Sequence, residues 1–472
     1  DLEVPMKIVF IVPTSRLRRF LPYRLCGSFY GHSNSITGPL ILGGILKEAG
    51  HQVEVYEELY TTLNYRKIMP GTDVFCLYSM TSTAPRCYEL ADKFHRETRA
   101  RVLIGGFHAS ALPEEALTHA DQVLVGEGEK VILDVVEGRL TDPIVRGPCV
   151  ENLDEVPFPN YSILKTRCVT ANVMSSRGCP YCCSFCTTSR MFRPYRRRSV
   201  ESVIEELRYY KRLGFQYMNF EDDNFTADPD YAKEICRRMI GEGLVFRETF
   251  FFGRTDMARD EELLSLLEQA HLNRVLVGIE SLNQEALDAI HKGQRLSDIE
   301  ACGRALSQHK IRLIASIVLG IDADSAEDIR RAVDFTKRIG AYQLQPAILT
   351  PFPGTEVYEQ YQREGRLLDM DWEQYDMMNV TFRPKRMTPW ELQQEFMRAG
   401  KHFYDLPSSF RIMKKFGLNY GLRRLGLCAS ARLGVFGEEM ASRFARGTHY
   451  YQLRHEGREI AAQRMKKKAA DA

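Results

Sequence analysis

The sequence of 472 residues lacks a long hydrophobic run, and no apolar stretch approaches the roughly 18 residues that a membrane-spanning helix needs. Its first segment, DLEVPMKIVF, lacks a charged region followed by a long apolar core, so we expect no signal peptide and a cytoplasmic location. An excess of one charge is also missing, because 64 Lys or Arg face 62 Asp or Glu, and this balance argues neither for nor against nucleic acid. We expect no nucleic-acid partner. These absences favour a globular protein, and the length predicts two or three domains.

Regularly spaced cysteines are absent as well. Eight of the twelve cysteines are scattered singly, which is typical of reduced thiols in a cytosolic protein and not of a disulfide framework. The other four lie in the segment SSRGCPYCCSFCTTSR, and they are Cys179, Cys182, Cys183 and Cys186. A structural zinc site usually takes its ligands from two separate CxxC knuckles, and the sequence has no second knuckle. The cluster therefore does not fit a zinc site well.

Residues 6–137 alternate short apolar runs, such as MKIVFIVP and RVLIGGF, with amphipathic helical stretches. This pattern predicts a Rossmann-like, doubly wound parallel sheet over residues 1–140. Several of the predicted strands end in small or polar residues, where a ligand can approach the backbone, although ordinary turns have the same composition. These residues are Ser79, Thr81, Gly105, Gly106, Gly126, Glu127 and Gly128.

Three further regions follow. Residues 141–167 are rich in proline and are predicted to form a linker. A second βα series over 168–385 contains about six units, which predicts a partial, TIM-like (βα)6 barrel with its chemistry at the strand C-termini. Residues 386–472 read as helical, and 411–472 hold 14 Lys or Arg against 5 Asp or Glu. That basic region is either a solvated helical cap on the barrel or a surface for peripheral membrane contact.

Without Cys182, the cysteine cluster has the spacing C-x3-C-x2-C, formed by Cys179, Cys183 and Cys186. Three thiolates suit a [4Fe–4S] cluster with one iron left open for chemistry. This loop, placed after the first strand of a βα series, resembles the signature of the radical S-adenosylmethionine (SAM) superfamily, and Phe185 matches the aromatic residue of that motif. The resemblance implies that the open iron chelates SAM and that one electron releases a 5′-deoxyadenosyl radical, with Cys182 as a spectator.

The resemblance also implies SAM contacts at the ends of the next barrel strands. The acidic run FEDDNF would orient the SAM amino group, although carboxylates there could instead cap the next helix. Arg254 would hold a carboxylate, either that of SAM or that of Asp256. The expected SAM-binding residues are Phe185, Glu221, Asp222, Asp223, Arg254, Glu280 and Ser281.

The segments VLIGGFHASALPEEAL and ADQVLVGEGE resemble the cobalamin-binding domain that precedes the barrel in one class of radical SAM enzymes. The small strand-end residues named above, together with His108, would then contact the corrinoid; a locally bonded loop histidine is the alternative for His108. The D-x-H-x-x-G motif that supplies an axial histidine elsewhere is missing, because no histidine follows an Asp by two positions. The arginine-bearing loop over 14–38 would contact the corrin or close over the substrate.

We therefore expect an enzyme with a [4Fe–4S] cluster, SAM and cobalamin that acts on a small molecule or lipid by methyl transfer or radical C–C chemistry. Its electron donor would be a flavodoxin, a ferredoxin or a dedicated reductase. The alternative is a cobalamin-independent dehydratase, cyclase or coupling enzyme, for example on an aminosugar, that retains a vestigial cobalamin fold. A non-enzymatic iron–sulfur carrier is a third hypothesis, but it would not need a barrel with polar strand ends.

Overall fold

A computed structural model of the chain describes residues 5–15, 35–59, 62–444 and 449–470. Residues 16–34, which include most of the arginine-bearing loop, lie outside the described residues, so the expectation for that loop stays a prediction. The described chain folds as an N-terminal parallel sheet, a parallel barrel segment and a helical C-terminal region. The predicted fold class is confirmed.

The N-terminal sheet has the strand order β2-β1-β3-β4-β5-β6, with every pair parallel. Its central strands are largely apolar because helices cover both faces, and Phe75 stacks on Phe94 of one covering helix with ring centres 3.9 Å apart. The strands are β1 (Lys7–Val12), β2 (Gln52–Glu57), β3 (Val74–Tyr78), β4 (Arg101–Gly105), β5 (Gln122–Gly126) and β6 (Ile144–Gly147).

Strand β6 lies inside the segment 141–167, which the sequence predicts to be a linker. It pairs with β5 from Val123↔Ile144 to Gly126↔Gly147. Pro143 and Pro148 bracket the strand and suggested irregular structure. As an edge strand β6 tolerates both prolines, because only one of its sides has to donate to a neighbour.

The barrel segment has six parallel strands in the order β14-β13-β12-β11-β10-β7. Barrel strands that follow one another in the chain are also neighbours in the sheet, as right-handed βα units require. The strands are β7 (Thr170–Val173), β10 (Tyr217–Phe220), β11 (Glu248–Gly253), β12 (Arg274–Glu280), β13 (Arg312–Leu319) and β14 (Gln343–Ile348). Between β7 and β10 the chain forms the antiparallel pair β8 (Ser176–Arg177) and β9 (Arg196–Arg197).

Helices connect these strands and cover the outer faces of the sheets. Val203, Ile204, Leu207 and Tyr210 form the buried stripe of the first long barrel helix, which begins at its cap, Ser199. The helices are α1 (Thr37–Glu48), α2 (Tyr65–Ile68), α3 (Ala84–Glu97), α4 (Phe107–Ala111), α5 (Pro113–Leu117), α6 (Ile132–Val136), α7 (Thr188–Met191), α8 (Val200–Arg212), α9 (Pro229–Gly241), α10 (Glu261–Gln269), α11 (Gln284–Ala289), α12 (Leu296–Gln308), α13 (Ala326–Arg338), α14 (Glu356–Arg363), α15 (Pro389–Phe403), α16 (Leu406–Phe416), α17 (Leu418–Phe444) and α18 (His449–Ala470).

The C-terminal helices pack against the N-terminal end of the barrel. Arg424 of α17 is buried and donates to the carbonyl of Tyr342, just before β14. The guanidinium of Arg312, the first residue of β13, lies 4.3 Å from the ring centre of Tyr420. These contacts make the region a helical cap on the barrel. Among the described residues, no helix combines the length and the apolar character needed to cross a bilayer.

Candidate active site

The cysteine loop lies at the C-terminal end of β7, the first barrel strand. The β8–β9 pair closes its stem, with Ser176 opposite Arg197 and Arg177 opposite Arg196. Gly178 begins the loop with φ = +80°, and a Cβ there would overlap the carbonyl oxygen of Phe192. Only glycine satisfies both the backbone conformation and the close approach.

Cys179, Cys183 and Cys186 are half-buried and lie near one another. Burial, with smaller contributions from the charges of Asp223, Cys186 and Cys183, raises the pKa of the Cys179 thiol to about 11. In the described part of the chain, no three His, Cys, Asp or Glu side chains converge tightly enough to ligate a single metal ion. A [4Fe–4S] cluster does not need such convergence, because each thiolate binds a different iron.

Cys182 is placed differently from these three residues. Its side chain is exposed, and its Sγ accepts a hydrogen bond of 2.8 Å from Nη2 of Arg193. Phe185, by contrast, packs against the barrel core. The environment of Cys182 thus differs from that of the other three cysteines, and its role as a spectator stays a prediction.

Two cations lie beside Cys183. Burial raises the pKa of its thiol, whereas the charges of Lys292 and Arg254 lower it. Arg254 is buried, donates to the carbonyl of Lys292 at 2.6 Å and stacks on Tyr181 of the cysteine loop. The expected alternative partner of Arg254, Asp256, instead accepts a hydrogen bond of 2.8 Å from the Tyr181 hydroxyl. Positive charge next to the thiols favours an anionic group in this part of the site.

Glu280, at the end of β12, is engaged with the same lysine. Lys292 Nζ lies 2.6 Å from Glu280 Oε1, and both side chains are buried. Glu280 has φ = +60°, an uncommon conformation for a residue other than glycine. A Cβ on Gly278 would clash with both charged groups, so this glycine makes room for the ion pair.

Ser281 donates to Asp324 Oδ1 at 3.0 Å, and both residues are buried. Burial raises the pKa of Asp324 to about 6 despite that hydrogen bond. The two residues therefore connect the ends of β12 and β13.

The three acidic residues after β10 have separate environments. Asp222 is fully buried and accepts hydrogen bonds from Ser175 N at 3.2 Å and Ser175 Oγ at 2.6 Å. It thus holds the chain that leads into the cysteine loop. The next helix, α9, is capped by Asp228, so none of the three serves as its N-cap.

Asp223 accepts hydrogen bonds from the Thr188 side chain and the Gly178 backbone, and Glu221 accepts one from Asn219 Nδ2 at 3.5 Å. Burial raises the pKa of Asp223 to about 6, and this carboxyl lies near Cys179. Burial raises the pKa of Glu221 to about 7. Burial raises the pKa of Tyr78, the last residue of β3, and the charge of Glu221 contributes to that rise. The carboxyl edges of the two sheets therefore face each other across this pair.

Other contacts join the two edges. Asn172 of β7 donates from Nδ2 to the carbonyl of Ser35 at 2.6 Å and accepts from Asn219 Nδ2 at 3.1 Å. Phe107, at the start of α4, meets Phe192 edge-on with ring centres 5.8 Å apart. The barrel opening is thus covered by the N-terminal domain.

The strand-end residues of the N-terminal sheet converge at this covered edge. Gly106 has φ = +104°, and a Cβ there would lie 2.7 Å from the carbonyl oxygen of Ser79. Gly105 ends β4, and Thr81 is buried in the turn after β3. Gly126 also has a positive φ, of +80°. These positions form a cradle of backbone and small side chains at the ends of β3, β4 and β5.

His108 is fully buried in α4. Its Nε2 lies 3.2 Å from Glu115 Oε1, and its ring meets that of Trp372 at 5.1 Å. Trp372 Nε1 also donates to Glu115 at 3.0 Å. One ring nitrogen of His108, Nε2, is therefore bonded to a nearby residue. The other, Nδ1, has no hydrogen-bond partner among the described residues.

Glu127, expected to contact a corrinoid, is occupied by ion pairs instead. It binds Arg196 with both oxygens and accepts from the backbone N of Val150 at 2.6 Å. Its neighbour Gly128 lies close to Leu124 and Leu42, which leaves no space for a Cβ. The two residues therefore serve the packing of the turn.

Sequence reasoning missed Lys292, Tyr181 and Asp324. Lys292 sits in the exposed-looking segment HKGQ, and Asp324 in IDADSA, where nothing distinguishes them from surface residues. Tyr181 lies inside the cysteine motif and could have been found from its position between two cysteines.

Comparisons with known proteins agree with this geometry. Residues 173–336 match the family model described as the Radical SAM superfamily. The chain is 27% identical to bacteriochlorophyllide d C-12(1)-methyltransferase of Chlorobaculum tepidum over 365 residues, which covers 74% of this chain and 78% of that protein.

Two solved structures have the same fold. The first is the radical SAM methyltransferase TsrM from Kitasatospora setae, described with cobalamin and a [4Fe–4S] cluster bound, with TM-score 0.64, 15% identity, and 91% of this chain and 100% of that chain covered. The second is the cobalamin-dependent SAM radical enzyme OxsB, with a TM-score of 0.67 and 16% identity. The match covers 99% of this chain and 76% of the OxsB chain. Residues 173–336 thus match a radical SAM domain, and the whole fold is similar to the folds of cobalamin-dependent radical SAM enzymes.

Proposed function

We propose that this chain binds a [4Fe–4S] cluster, SAM and cobalamin, and transfers a methyl group to a small molecule or lipid. The observation that carries the proposal is the placement of the cysteine loop. It lies at the carboxyl edge of the barrel and faces the carboxyl edge of the N-terminal sheet, where Tyr78 and Glu221 interact. Open α/β sheets bind their ligands at this edge, so two such edges enclose one reaction space.

Cys179, Cys183 and Cys186 would hold the cluster, because their thiols are mutually close and Cys182 points away to Arg193. The cluster would supply the electron for reductive cleavage of SAM, and the corrinoid would supply a transferable methyl group. Half-burial of the thiols limits contact of the cluster with solvent. No second cysteine-rich segment is needed for this ligand set.

Arg254 and Lys292 would hold the carboxylate of SAM, since both are buried cations beside Cys183. Asp223, near Cys179, would accept from the SAM amino group. Its raised pKa, about 6, leaves it largely ionised at neutral pH, as an acceptor from an ammonium group should be. Glu280 orients Lys292, and Ser281 fixes the backbone at the end of β12 through Asp324.

The corrinoid would lie against the cradle of small residues at the ends of β3, β4 and β5, where Gly105 and Gly106 are partly exposed. Glycine leaves the backbone open to a flat ring at these two positions, whereas Ser79 is fully buried and both of its backbone groups are hydrogen-bonded. The unpartnered Nδ1 of buried His108 is a further polar group for the nucleotide portion of such a ligand. The chain needs a one-electron donor, a flavodoxin, ferredoxin or dedicated reductase, and we place the reaction in the cytoplasm.

The test is anaerobic reconstitution with iron, sulfide and hydroxocobalamin, followed by gel filtration and a visible spectrum. We expect both cluster and corrinoid absorption to remain with the protein. With substrate and methyl-labelled SAM, S-adenosylhomocysteine should form beside 5′-deoxyadenosine. Failure to retain corrinoid, with activity indifferent to added cobalamin, would refute the cobalamin-dependent assignment.

A second candidate is a cobalamin-independent radical SAM dehydratase or cyclase. The occupied state of Glu127 favours it, because this strand-end carboxylate is engaged by Arg196 and not free for a corrinoid. Such an enzyme would form 5′-deoxyadenosine as the only nucleoside product. Product analysis therefore separates the two candidates.

A further inference from the structure

A buried ion cluster connects the N-terminal sheet to the cysteine loop. Glu127, in the turn after β5, lies 2.5 Å from Arg196 Nη2 and 3.0 Å from Arg196 Nη1 through its two oxygens. Arg177 Nη1 approaches the same carboxylate at 3.5 Å, and Arg177 Nη2 lies 2.5 Å from Glu129. The side chains of Arg177, Arg196 and Glu127 are each 6–7% exposed.

The two arginines occupy matching positions in the stem of the cysteine loop. Arg177 and Arg196 are paired across the β8–β9 ladder, and Cys179 follows Arg177 by two residues. Glu127 lies between Gly126 and Gly128 in the turn whose neighbouring strand ends form the proposed corrinoid cradle. Glu127 thus contacts the stem of the loop that would hold the cluster. It also belongs to the sheet edge that would hold the corrinoid.

The charge state of Glu127 fits such a contact. Burial opposes its ionisation, but hydrogen bonds from Arg196 and Val150 N and the charge of Arg177 bring the pKa of Glu127 below its usual value. A bidentate pair between carboxylate and guanidinium fixes direction as well as distance. Removing one partner of a buried ion pair leaves the other charge uncompensated and destabilises the protein. Glu127 and Arg196 therefore depend on each other for their positions.

We infer that Glu127 is a positioning residue that couples occupancy of the cluster site to ligand affinity at the N-terminal sheet. The ordered cysteine loop holds Arg177 and Arg196 in place, and these hold the 126–128 turn. Loss of the cluster frees the stem and loosens the turn. This inference rests on the proposed function, since it requires that both cofactors bind.

The test measures the dissociation constant of hydroxocobalamin by its visible spectrum, with the full-length protein carrying its cluster and after anaerobic removal of the cluster. The variants are Glu127→Gln and Arg196→Lys, which weaken the same pair from the two domains. Glu97→Gln is the matched control, because Glu97 lies in the N-terminal domain and makes an exposed pair with Lys93. Hydrogen exchange of peptides over 175–197 on adding hydroxocobalamin provides a second readout.

In the wild-type protein, removal of the cluster should raise the dissociation constant about fivefold or more. Glu127→Gln and Arg196→Lys should bring that ratio close to one and abolish the added protection of 175–197, whereas Glu97→Gln should behave as wild type. A wild-type ratio retained in both variants, or a ratio of one in the wild-type protein, overturns the inference and leaves the proposed function intact. A wild-type protein that binds no hydroxocobalamin in either state overturns both.

Discussion

The guanidinium carbon of Arg254 lies 3.6 Å from the ring centre of Tyr181, the second residue after Cys179. Arg254 directly follows Gly253, the last residue of β11, so this stacking links the end of the third barrel strand to the cysteine loop. It also leaves Arg254 Nε without a hydrogen-bond partner among the described residues. An unpartnered, buried Nε on Arg254 agrees with the proposed contact between this side chain and the carboxylate of SAM.

Replacement of Arg254 should therefore weaken SAM binding and leave the cluster in place. We expect Arg254→Met to lower the affinity for SAM about tenfold, the loss of one hydrogen bond to a charged group. SAM is titrated into the reduced protein, and its binding is monitored through the spectrum of the cluster. Arg304→Met, which removes a side chain 70% exposed on an outer helix, serves as the control. Equal affinity of Arg254→Met and wild type would contradict the assigned role.

Three of the four clustered cysteines should be needed to retain the [4Fe–4S] cluster, and the fourth should not. Cys179→Ala, Cys183→Ala and Cys186→Ala should each lose the cluster, because a [4Fe–4S] cube held by two thiolates is poorly retained. Cys182→Ala should keep wild-type iron and sulfide content, since Cys182 is exposed and bonded to Arg193. Iron and sulfide analysis after reconstitution measures the outcome. Loss of the cluster in Cys182→Ala would disprove the ligand assignment.

Gly178 and Gly214 offer a matched pair of glycine substitutions. Both have φ near +80°, but a Cβ at Gly178 would overlap Phe192 and one at Gly214 would meet nothing within 4 Å. Gly214→Ala should cost about 1 kcal/mol of stability from backbone strain alone. Gly178→Ala should also prevent the loop from closing.

Iron content after reconstitution distinguishes these two effects. We expect Gly178→Ala to retain little cluster and Gly214→Ala to retain the wild-type amount. Urea unfolding of both variants supplies the stability values. Similar iron content in the two variants would show that the close approach at Gly178 is not required.

Glu221 predicts a pH dependence of stability. Its pKa is raised from 4.5 to about 7 in the folded protein, so the protonated carboxyl is favoured by folding. The stability it contributes is complete below about pH 4.5 and is lost as the pH rises through about 7. Glu221→Gln, which mimics the protonated form, should therefore stabilise the cofactor-free protein at pH 8 by about 2 kcal/mol, allowing for partial exposure.

The difference between Glu221→Gln and wild type should shrink as the pH falls towards 5. Denaturant unfolding at a series of pH values measures it. A difference that is constant with pH would show that Glu221 titrates normally in the folded state.

The sequence predicted the two sheets well because each strand carries its own signal. Some strands are continuous apolar runs buried on both faces, as in KIVFIV, and others alternate apolar and polar residues, as in QVEVYE. Strand β6 escaped detection because its four residues lie between prolines, and its place is determined by pairing with β5 rather than by its own composition.

The site was predicted less evenly. The cysteine spacing is local and could be read from the chain, whereas the roles of Glu127, Asp222 and Lys292 depend on partners distant in sequence. Asp222 binds Ser175 across 47 residues, and Glu127 binds Arg196 across 69. The same small or acidic strand-end residues suit either a ligand or a neighbouring domain, and only the folded arrangement separates the two uses.

The most direct test of the central claim is SAM cleavage by the anaerobically reconstituted protein. The protein is incubated with SAM and a strong reductant, and 5′-deoxyadenosine is quantified beside Cys183→Ala prepared in the same way. Reductive cleavage at the cysteine loop predicts 5′-deoxyadenosine with the wild-type protein and none above background with the variant. A fully loaded wild-type protein that forms no 5′-deoxyadenosine, or a variant that forms as much as wild type, would contradict it.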